Sequence, residues 1–273
     1  MALKIDGTLL LVGAGNMGGA LLAGWLEQGL SPRAIAVQDP MPPPSMKALL
    51  DKHHIETRKT VTVTAPPAVI LLAVKPQVMD QVYPPVARLA GPDTVVLSVA
   101  AGKTIASFES HLPARRAVVR SIPNTPASVG RGITVAVANA HVTPAQKALC
   151  DALLKAVGAV SWVEDESLID AVTAVSGSGP AYVFYLAECM TEAGIKAGLP
   201  VDLARQLARW TVAGAGELLH RSDLDPGRLR QNVTSPNGTT HAALQVLMGV
   251  KGMQPLFDEA IAAATRRSRE LAG

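Results

Sequence analysis

Aromatic residues make up only 3% of this 273-residue chain, so its core must be aliphatic; a hydrophobic share of 48% supplies one. Cysteine occurs twice, at Cys150 and Cys189, with no Cys-x-x-Cys spacing and no Cys/His cluster. That excludes a disulfide framework and offers no metal site; both residues sit in helix-like apolar contexts and read as reduced, buried thiols of a cytoplasmic protein. A dominant charge is also missing: 25 basic residues face 22 acidic ones, an excess of +3 too mild and too evenly spread to argue for nucleic acid. The densest basic cluster, Arg266, Arg267 and Arg269, ends the last expected helix, where the dipole favours cations. No apolar run is both long and unbroken. Residues 9–26 and 171–187 carry no charge, but glycine-rich turns at 13–19 and 176–180 interrupt them, so no membrane span is expected. Residues 1–7 hold Lys4 and Asp6 and no apolar region with a cleavage site, so no signal peptide is expected. A soluble, cytoplasmic protein long enough for two domains is the expectation.

What is present is organised around Leu9-Leu10-Leu11-Val12-Gly13-Ala14-Gly15-Asn16-Met17-Gly18. An apolar run of strand length feeds a Gly-x-Gly-x-x-Gly turn, and residues 19–30 then read as an apolar-faced helix. Each glycine has its own mechanical reason. Gly13 permits the tight turn, Gly15 lets backbone approach a pyrophosphate, and Gly18 lets helix and strand pack closely. Free N–H groups and a positive dipole end at the helix start suit an anion. Strand before, helix after and position near the N-terminus together point to a dinucleotide site.

Further strands follow at 34–38, 69–74, 94–99 and 117–120, alternating with helical segments such as 45–54. This alternation predicts a doubly wound α/β sheet, which 133–138 and 160–163 extend around a helix at 144–157. The expected strands end where ligands bind in such sheets: at Asp39, at Ala73-Val74-Lys75-Pro76, at Ala100-Ala101-Gly102 and at Pro123-Asn124. Asp39 either meets an adenosine ribose or caps the proline-rich turn after it. From residue 166 the strand-like runs stop. Helices are expected at 168–175, 180–197, 202–220, 242–248 and 255–271, with Pro180 in a first turn and Asp202 as a cap. The expected organisation is therefore a Rossmann-like dinucleotide-binding domain over 1–165 and an all-helical domain over 166–273. The second is too apolar to stand uncovered, and a second subunit is the simplest cover.

Three segments beyond the glycine turn carry chemistry. In 120–126, two prolines stiffen a strand-end loop whose Asn124 can donate and accept at once, which suits a carboxamide; the alternative is a rigid connector. In 176–182, hydroxyls and N–H groups meet a helix start, or else form an ordinary kink between helices. In 233–241, Ser235, Gly238, Thr239 and Thr240 precede a helix and make a carboxylate cradle without a charged residue; the alternative is a well-capped loop. His241, beside that helix start, is more simply structural than catalytic.

In order and spacing, the Gly-x-Gly-x-Met turn, Ala73–Pro76, Ala100–Gly102, Pro123–Pro126, Ser176–Tyr182 and Ser235–Thr240 resemble the pyrroline-5-carboxylate reductase family over essentially the whole chain. Ile122 stands where that family commonly has Met, and Asn237 where it commonly has Gly. A backbone with φ > 0 accepts Asn at least cost, so the second departure reads as tolerated. The resemblance implies an oxidoreductase of proline biosynthesis. Hydride passes from NADPH or NADH to the C=N carbon of 1-pyrroline-5-carboxylate, giving L-proline. It further implies a helical dimerisation domain, a homodimer at least with decamers possible in the family, and a substrate loop that closes over the nicotinamide.

By match, Gly13, Gly15, Asn16, Met17, Asp39, Ala73, Val74, Lys75, Pro76, Ala100, Ala101 and Asn124 fall at the cofactor, and Ser235, Asn237, Gly238, Thr239 and Thr240 at the substrate. A protonated cyclic imine needs positioning and a neutral hydrogen-bond partner more than a strong acid, which makes Thr240 the candidate catalytic residue. A β-hydroxyacid dehydrogenase also opens with such a turn but is expected to carry a helical lysine, and here Lys196 lies only in a last turn. The remaining alternative is a non-catalytic dinucleotide-binding module. Asp39 leans towards NADH, since a carboxylate repels a 2′-phosphate, but both coenzymes stay open.

Overall fold

The computed structural model describes residues 3–272. Short apolar runs bounded by glycine, proline or small polar residues become buried strands. In chain order these are β1 (Leu9–Val12), β2 (Ile35–Gln38), β3 (Thr57–Arg58), β4 (Val69–Leu72), β5 (Val95–Ser98), β6 (Ala117–Ile122), β7 (Gly132–Ala138) and β8 (Gly158–Val163). They form one eight-stranded sheet in the order β3-β2-β1-β4-β5-β6-β7-β8, parallel throughout except where β7 runs against β6. The link from β6 to β7 is a 3₁₀ turn at Thr125–Val129 closed by Gly130 at φ 67°. That is shorter than the roughly dozen residues a parallel crossover takes, so the strand reverses.

The connecting helices are α1 (Asn16–Glu27), α2 (Pro44–Lys52), α3 (Pro76–Ala87), α4 (Ile105–Glu109) and α5 (Pro144–Lys155). Side chains alternate across a strand, so each apolar run serves both faces. Leu9, Leu11, Leu71 and Leu97 pack with Leu22 and Trp25 of α1 and Leu153 of α5. Leu10, Val12, Leu72 and Val96 pack with Tyr83 of α3 and Phe108 of α4. Trp25 ties the first layer by donating its indole N–H to the Leu153 carbonyl at 2.8 Å. In the second layer, Tyr83 and Phe108 meet edge to face with centroids 5.4 Å apart. Cys150 lies in the first layer, where burial pushes its thiol up to about 12. It is an inert core residue.

After β8 the described chain is helical: a 3₁₀ turn at Glu166–Leu168, α6 (Ile169–Val172), a π turn at Thr173–Gly177, then α7 (Gly179–Lys196), α8 (Val201–Arg221), α9 (Pro226–Asn232), α10 (Thr239–Leu247) and α11 (Met253–Ala272). Two compact units result. One runs through Gly177 and takes in the end of α11 from Thr265; the other is Ser178–Ala264. In the first unit, Ser268 on α11 donates to Asp170 at 2.7 Å. In the second, α7 packs along α8, with Gly194 opposite Ala204. Burial there is sparse: α8 buries only Ala204 and Ala208, while Phe184, Tyr185 and Trp210 remain 64–71% exposed. Helices this apolar need cover from another chain.

Several local expectations are corrected. Helix α1 begins at Asn16, three residues before the expected start, because Gly18 and Gly19 are helical and packed rather than part of the turn. Asp202 does not cap α8. Pro200 occupies the cap position without a side-chain bond, and Asp202 sits in the first turn 3.7 Å from Arg205. Cys189 is exposed rather than buried, since α7 buries no residue within its own unit. Helices α3 and α9 and strand β3 carry no clear signal in the sequence pattern. In α3 the Pro76, Pro84 and Pro85 signals mask an amphipathic stretch that packs Met79, Tyr83 and Val86 on the sheet.

Candidate functional site

Strands β1, β4, β5 and β6 are adjacent and parallel, so their carboxyl ends bring the loops at 13–18, 73–76, 100–102 and 123–126 into one row. The order reverses between β1 and β4: from β1 the chain moves to β2 and β3, then returns to β4 on the other side. A crevice at such a reversal is where open α/β sheets bind ligands.

The glycine turn lies at that point. Gly13 has φ 92°, and a Cβ there would stand 2.9 Å from the Ala73 carbonyl carbon and oxygen and from Val74 Cγ1. Gly18 lies one helical turn on, where a Cβ would overlap the Gly13 carbonyl oxygen and come 3.0 Å from Ala73 Cβ. Both glycines are therefore demanded by the packing of the chain itself. Gly15 is different. It has φ −71° and nothing within 4 Å of where a Cβ would stand. No contact within the protein excludes a side chain there, and the open volume above it suits a group that approaches backbone. Gly15 is the N-cap of α1, no side chain caps that helix, and Asn16 and Met17 form its first turn, so its N–H groups face outward unpaired. This cradle fits a pyrophosphate.

Asp39 acts as a cap, as one of its two expected roles requires. Its Oδ2 accepts from the Ala14 N–H at 2.7 Å and its Oδ1 from the Met41 N–H at 2.8 Å. The carboxylate thus holds the proline-rich turn and fastens it to the glycine turn 25 residues before it in the chain. On the other side of β1, Ala73 donates its N–H to the Val12 carbonyl at 2.8 Å, Lys75 is the exposed N-cap of α3, and Pro76 opens that helix. Ala100 is buried and Ala101 exposed beyond β5. Asn124 follows β6, and its side-chain oxygen accepts from the Ile133 N–H at 2.9 Å. That bond belongs to the connector reading; it leaves the amide NH₂ group as the part of Asn124 able to donate.

Two buried polar atoms near the end of β6 lack a partner among the described residues: Arg120 Nε and Ser176 Oγ. Arg120 is 3% exposed, and sequence reasoning passes over its charge, although a lone cation inside the apolar run Ala117–Ile122 is a signal. Its Nη1 holds Glu166 Oε1 at 2.8 Å, and the same oxygen accepts from the Ile105 N–H at 2.8 Å, capping α4. Ser176 lies in the π turn, and Gly177 beside it comes within 3.6 Å of Ile122 Cγ2 where its Cβ would be. An unpaired buried hydroxyl adds nothing to stability. Ser176→Ala is accordingly expected to leave the free protein at least as stable, with a gain of up to about 1 kcal/mol, as thermal unfolding of the two forms will read.

In the second unit the 235–240 turn is built as a helix entrance. Asn237 has φ 60°, the left-handed conformation in which Asn substitutes for Gly at least cost. Gly238 is the N-cap of α10, and its own N–H is taken by the Ser235 carbonyl at 3.1 Å. The first bond back to Gly238 comes from Ala242, so the N–H groups of Thr239, Thr240 and His241 are the free donors of that turn. Helix α10 starts three residues earlier than expected, which moves Thr239 and Thr240 from the loop into this first turn. Thr240 is half-buried, and Ser235 and Thr239 are exposed. His241 turns along its own helix to Gln245, 3.2 Å away, beside a cavity of about 390 Å³ lined by Arg230, Gln231 and Thr234.

Residues 166–271 match the family model described as pyrroline-5-carboxylate reductase dimerisation, and residues 8–102 match that described as NADP oxidoreductase coenzyme F420-dependent. The pyrroline-5-carboxylate reductase of Pseudomonas aeruginosa is 41% identical over 264 residues, covering 97% of this chain and 96% of the relative. That of Synechocystis is 40% identical, covering 96% and 97%. The solved structure of a pyrroline-5-carboxylate reductase from Coxiella burnetii superposes with a TM-score of 0.90 at 33% identity, covering 98% of this chain and all of that one.

Proposed function

The chain belongs to the pyrroline-5-carboxylate reductase family, and on that premise we propose that it reduces 1-pyrroline-5-carboxylate to L-proline with NAD(P)H, the last step of proline biosynthesis. The single observation that carries the reading is similarity to such reductases over nearly the full length of both chains.

The proposed division of labour assigns the dinucleotide to residues 1–165 and the substrate and dimer contacts to 166–273. NAD(P)H, when bound, supplies the hydride. Gly15, Asn16 and Met17 hold its pyrophosphate through backbone N–H groups and the positive end of α1, while Gly13, whose own N–H is taken by the Gln38 carbonyl, shapes the turn that presents them. Asp39 faces the adenosine side, and Ala73–Pro76, Ala100, Ala101 and Asn124 border the path towards the nicotinamide. In the 235–240 turn, the free N–H groups of Thr239 and Thr240, with the Ser235 hydroxyl, receive the substrate carboxylate, while Asn237 and Gly238 shape the backbone that presents them. The Thr240 hydroxyl accepts from the protonated ring nitrogen of the iminium and keeps its C=N carbon oriented as acceptor. A neutral partner suffices because the iminium enters already protonated and the product amine keeps that proton, so no strong acid is required.

Thr240→Ala is expected to lower turnover about a hundredfold and to weaken binding of a proline analogue, with an unchanged melting curve. Unaltered kinetics in that variant would remove Thr240 from the reaction. The activity itself is tested by coenzyme oxidation with pyrroline-5-carboxylate, with a β-hydroxyacid run in the oxidative direction as control. Consumption of the hydroxyacid instead of the imine would overturn the assignment.

The dimerisation match and the bare apolar faces of α7 and α8 support a homodimer at least, with decamers of stacked dimers as the larger form to look for by size measurement. No described helix is long and apolar enough to cross a membrane. Both cysteines are free thiols, which fits the cytoplasm as the site of action.

A further inference from the structure

Helix α11 ends against the loop that leaves the carboxyl end of β5. A Cβ at Gly102 would stand 3.5 Å from the Leu271 carbonyl oxygen and 3.8 Å from Leu271 Cβ, so the last turn of α11 lies on that loop. The loop has little of its own to hold it. Ala100 donates its N–H to Ser98 Oγ at 3.2 Å, and Gly102 turns the chain at φ 71°. Lys103 reaches Asp80 on α3 at 2.6 Å, but Asp80 is 75% exposed and such a pair contributes little. What fixes α11 in place is polar. Among its described side chains only Ser268 is buried, where a helix packed on a core ordinarily buries apolar residues. The Ser268 hydroxyl donates to Asp170 Oδ1 at 2.7 Å, the length of a charge-assisted bond, and Arg269 Nε stands 3.8 Å from the other oxygen. Asp170 lies on α6 beside Ile169, which is fully buried in the second layer of the core.

An apolar contact lets a helix slide or roll on its support. A hydrogen bond to an oxygen that is itself anchored sets both register and rotation, because it weakens steeply with distance and angle. We propose, resting on the dinucleotide reading above, that Asp170 and Ser268 are positioning residues for the coenzyme: they pin the end of α11, and the pinned end holds the 100–102 loop in the shape that receives the nicotinamide half. Neither residue touches the coenzyme. A loop already set in shape spares binding the ordering it would otherwise have to impose, so releasing the loop weakens affinity without deleting a contact.

The test pairs limited trypsin digestion of the free full-length protein with separate titrations of NADPH, NADH and ADP-ribose, which lacks the nicotinamide. In Ser268→Ala, cleavage after Lys103 is expected to run several-fold faster, while cleavage after Lys59, exposed between β3 and β4, keeps its rate. Both coenzymes should bind about five- to tenfold more weakly. ADP-ribose should bind unchanged, because the glycine turn proposed for its pyrophosphate is built from other elements. Asp170→Ala should reproduce these effects, and the double variant should add nothing to either. Asp170→Asn keeps an acceptor for Ser268 and should stay within about twofold of the unaltered protein. An unchanged rate after Lys103 in Ser268→Ala overturns the inference. So does an equal loss of affinity for the coenzymes and ADP-ribose, which marks a general loosening of the unit. Failure of the unaltered protein to bind any of the three overturns the dinucleotide reading itself and with it the inference.

Discussion

Gly15→Ala is expected to abolish most coenzyme binding while leaving the fold intact, and Gly18→Ala to damage the fold first. The two residues are three apart, Gly15 at the cap of α1 and Gly18 inside its first turn, yet their surroundings are opposite. At Gly18 an added methyl group overlaps the Gly13 carbonyl oxygen and presses on Ala73 at 3.0 Å, so either helix α1 or the end of β4 must shift. Overpacking of that kind costs about 1–3 kcal/mol, and this instance falls at the upper end because the opposing atoms are backbone. At Gly15 nothing lies within 4 Å and φ is an ordinary −71°, so stability should change by less than about 0.5 kcal/mol. The methyl group would instead occupy the volume proposed for the pyrophosphate, with an expected loss in coenzyme affinity of at least about tenfold. Thermal unfolding without ligand and a coenzyme titration on both variants separate these effects. Unimpaired binding in Gly15→Ala would show that the open volume is not the ligand's.

Glu166→Ala is expected to be the most destabilising single truncation of a polar side chain in the first unit. Arg120 is almost wholly buried, with a side-chain exposure of 4%, and among the described residues Glu166 supplies its ion pair at 2.8 Å. Truncating Glu166 strands the guanidinium charge and leaves the Ile105 N–H at the start of α4 without its acceptor. A fully buried pair broken in this way costs about 3–5 kcal/mol; Glu166 is partly exposed, so roughly 2–3 kcal/mol is the expected loss. For a unit of this size that lowers the melting temperature by roughly 5–10 °C. Combining Glu166→Ala with Arg120→Met should recover much of it, because the second change removes the orphaned charge and keeps the volume. A double variant no more stable than the single one would mean that the lost cap on α4, rather than the buried charge, dominates.

The parts of the site legible in the chain are those written in local spacing. Gly13 and Gly18 are identified by interval alone, and their packing against Ala73 shows why the interval has to be what it is. The positive φ of Asn237 is likewise foreseeable, because only a turn of that hand makes Asn the natural substitute for Gly. Less can be read where prolines mask a helix, as in α3, or where small residues allow a turn and a helix equally, as at 173–177. There the choice falls to burial: α3 exists because Met79, Tyr83 and Val86 cover the sheet, a benefit no local signal records.

By itself, then, the sequence determined the ladder of apolar strands, the glycine turn and the change to helices from about residue 166, because each follows from periodicity and backbone sterics within a few residues. Tertiary structure alone decided that Asp39 fastens to Ala14, that Arg120 is paired with Glu166 46 positions away, and that β7 reverses beside β6. Such pairings depend on direction and on the exclusion of water between distant segments. A carboxylate in an open chain has no preferred amide, and acquires one only when folding has brought a single N–H within reach and removed the competing solvent.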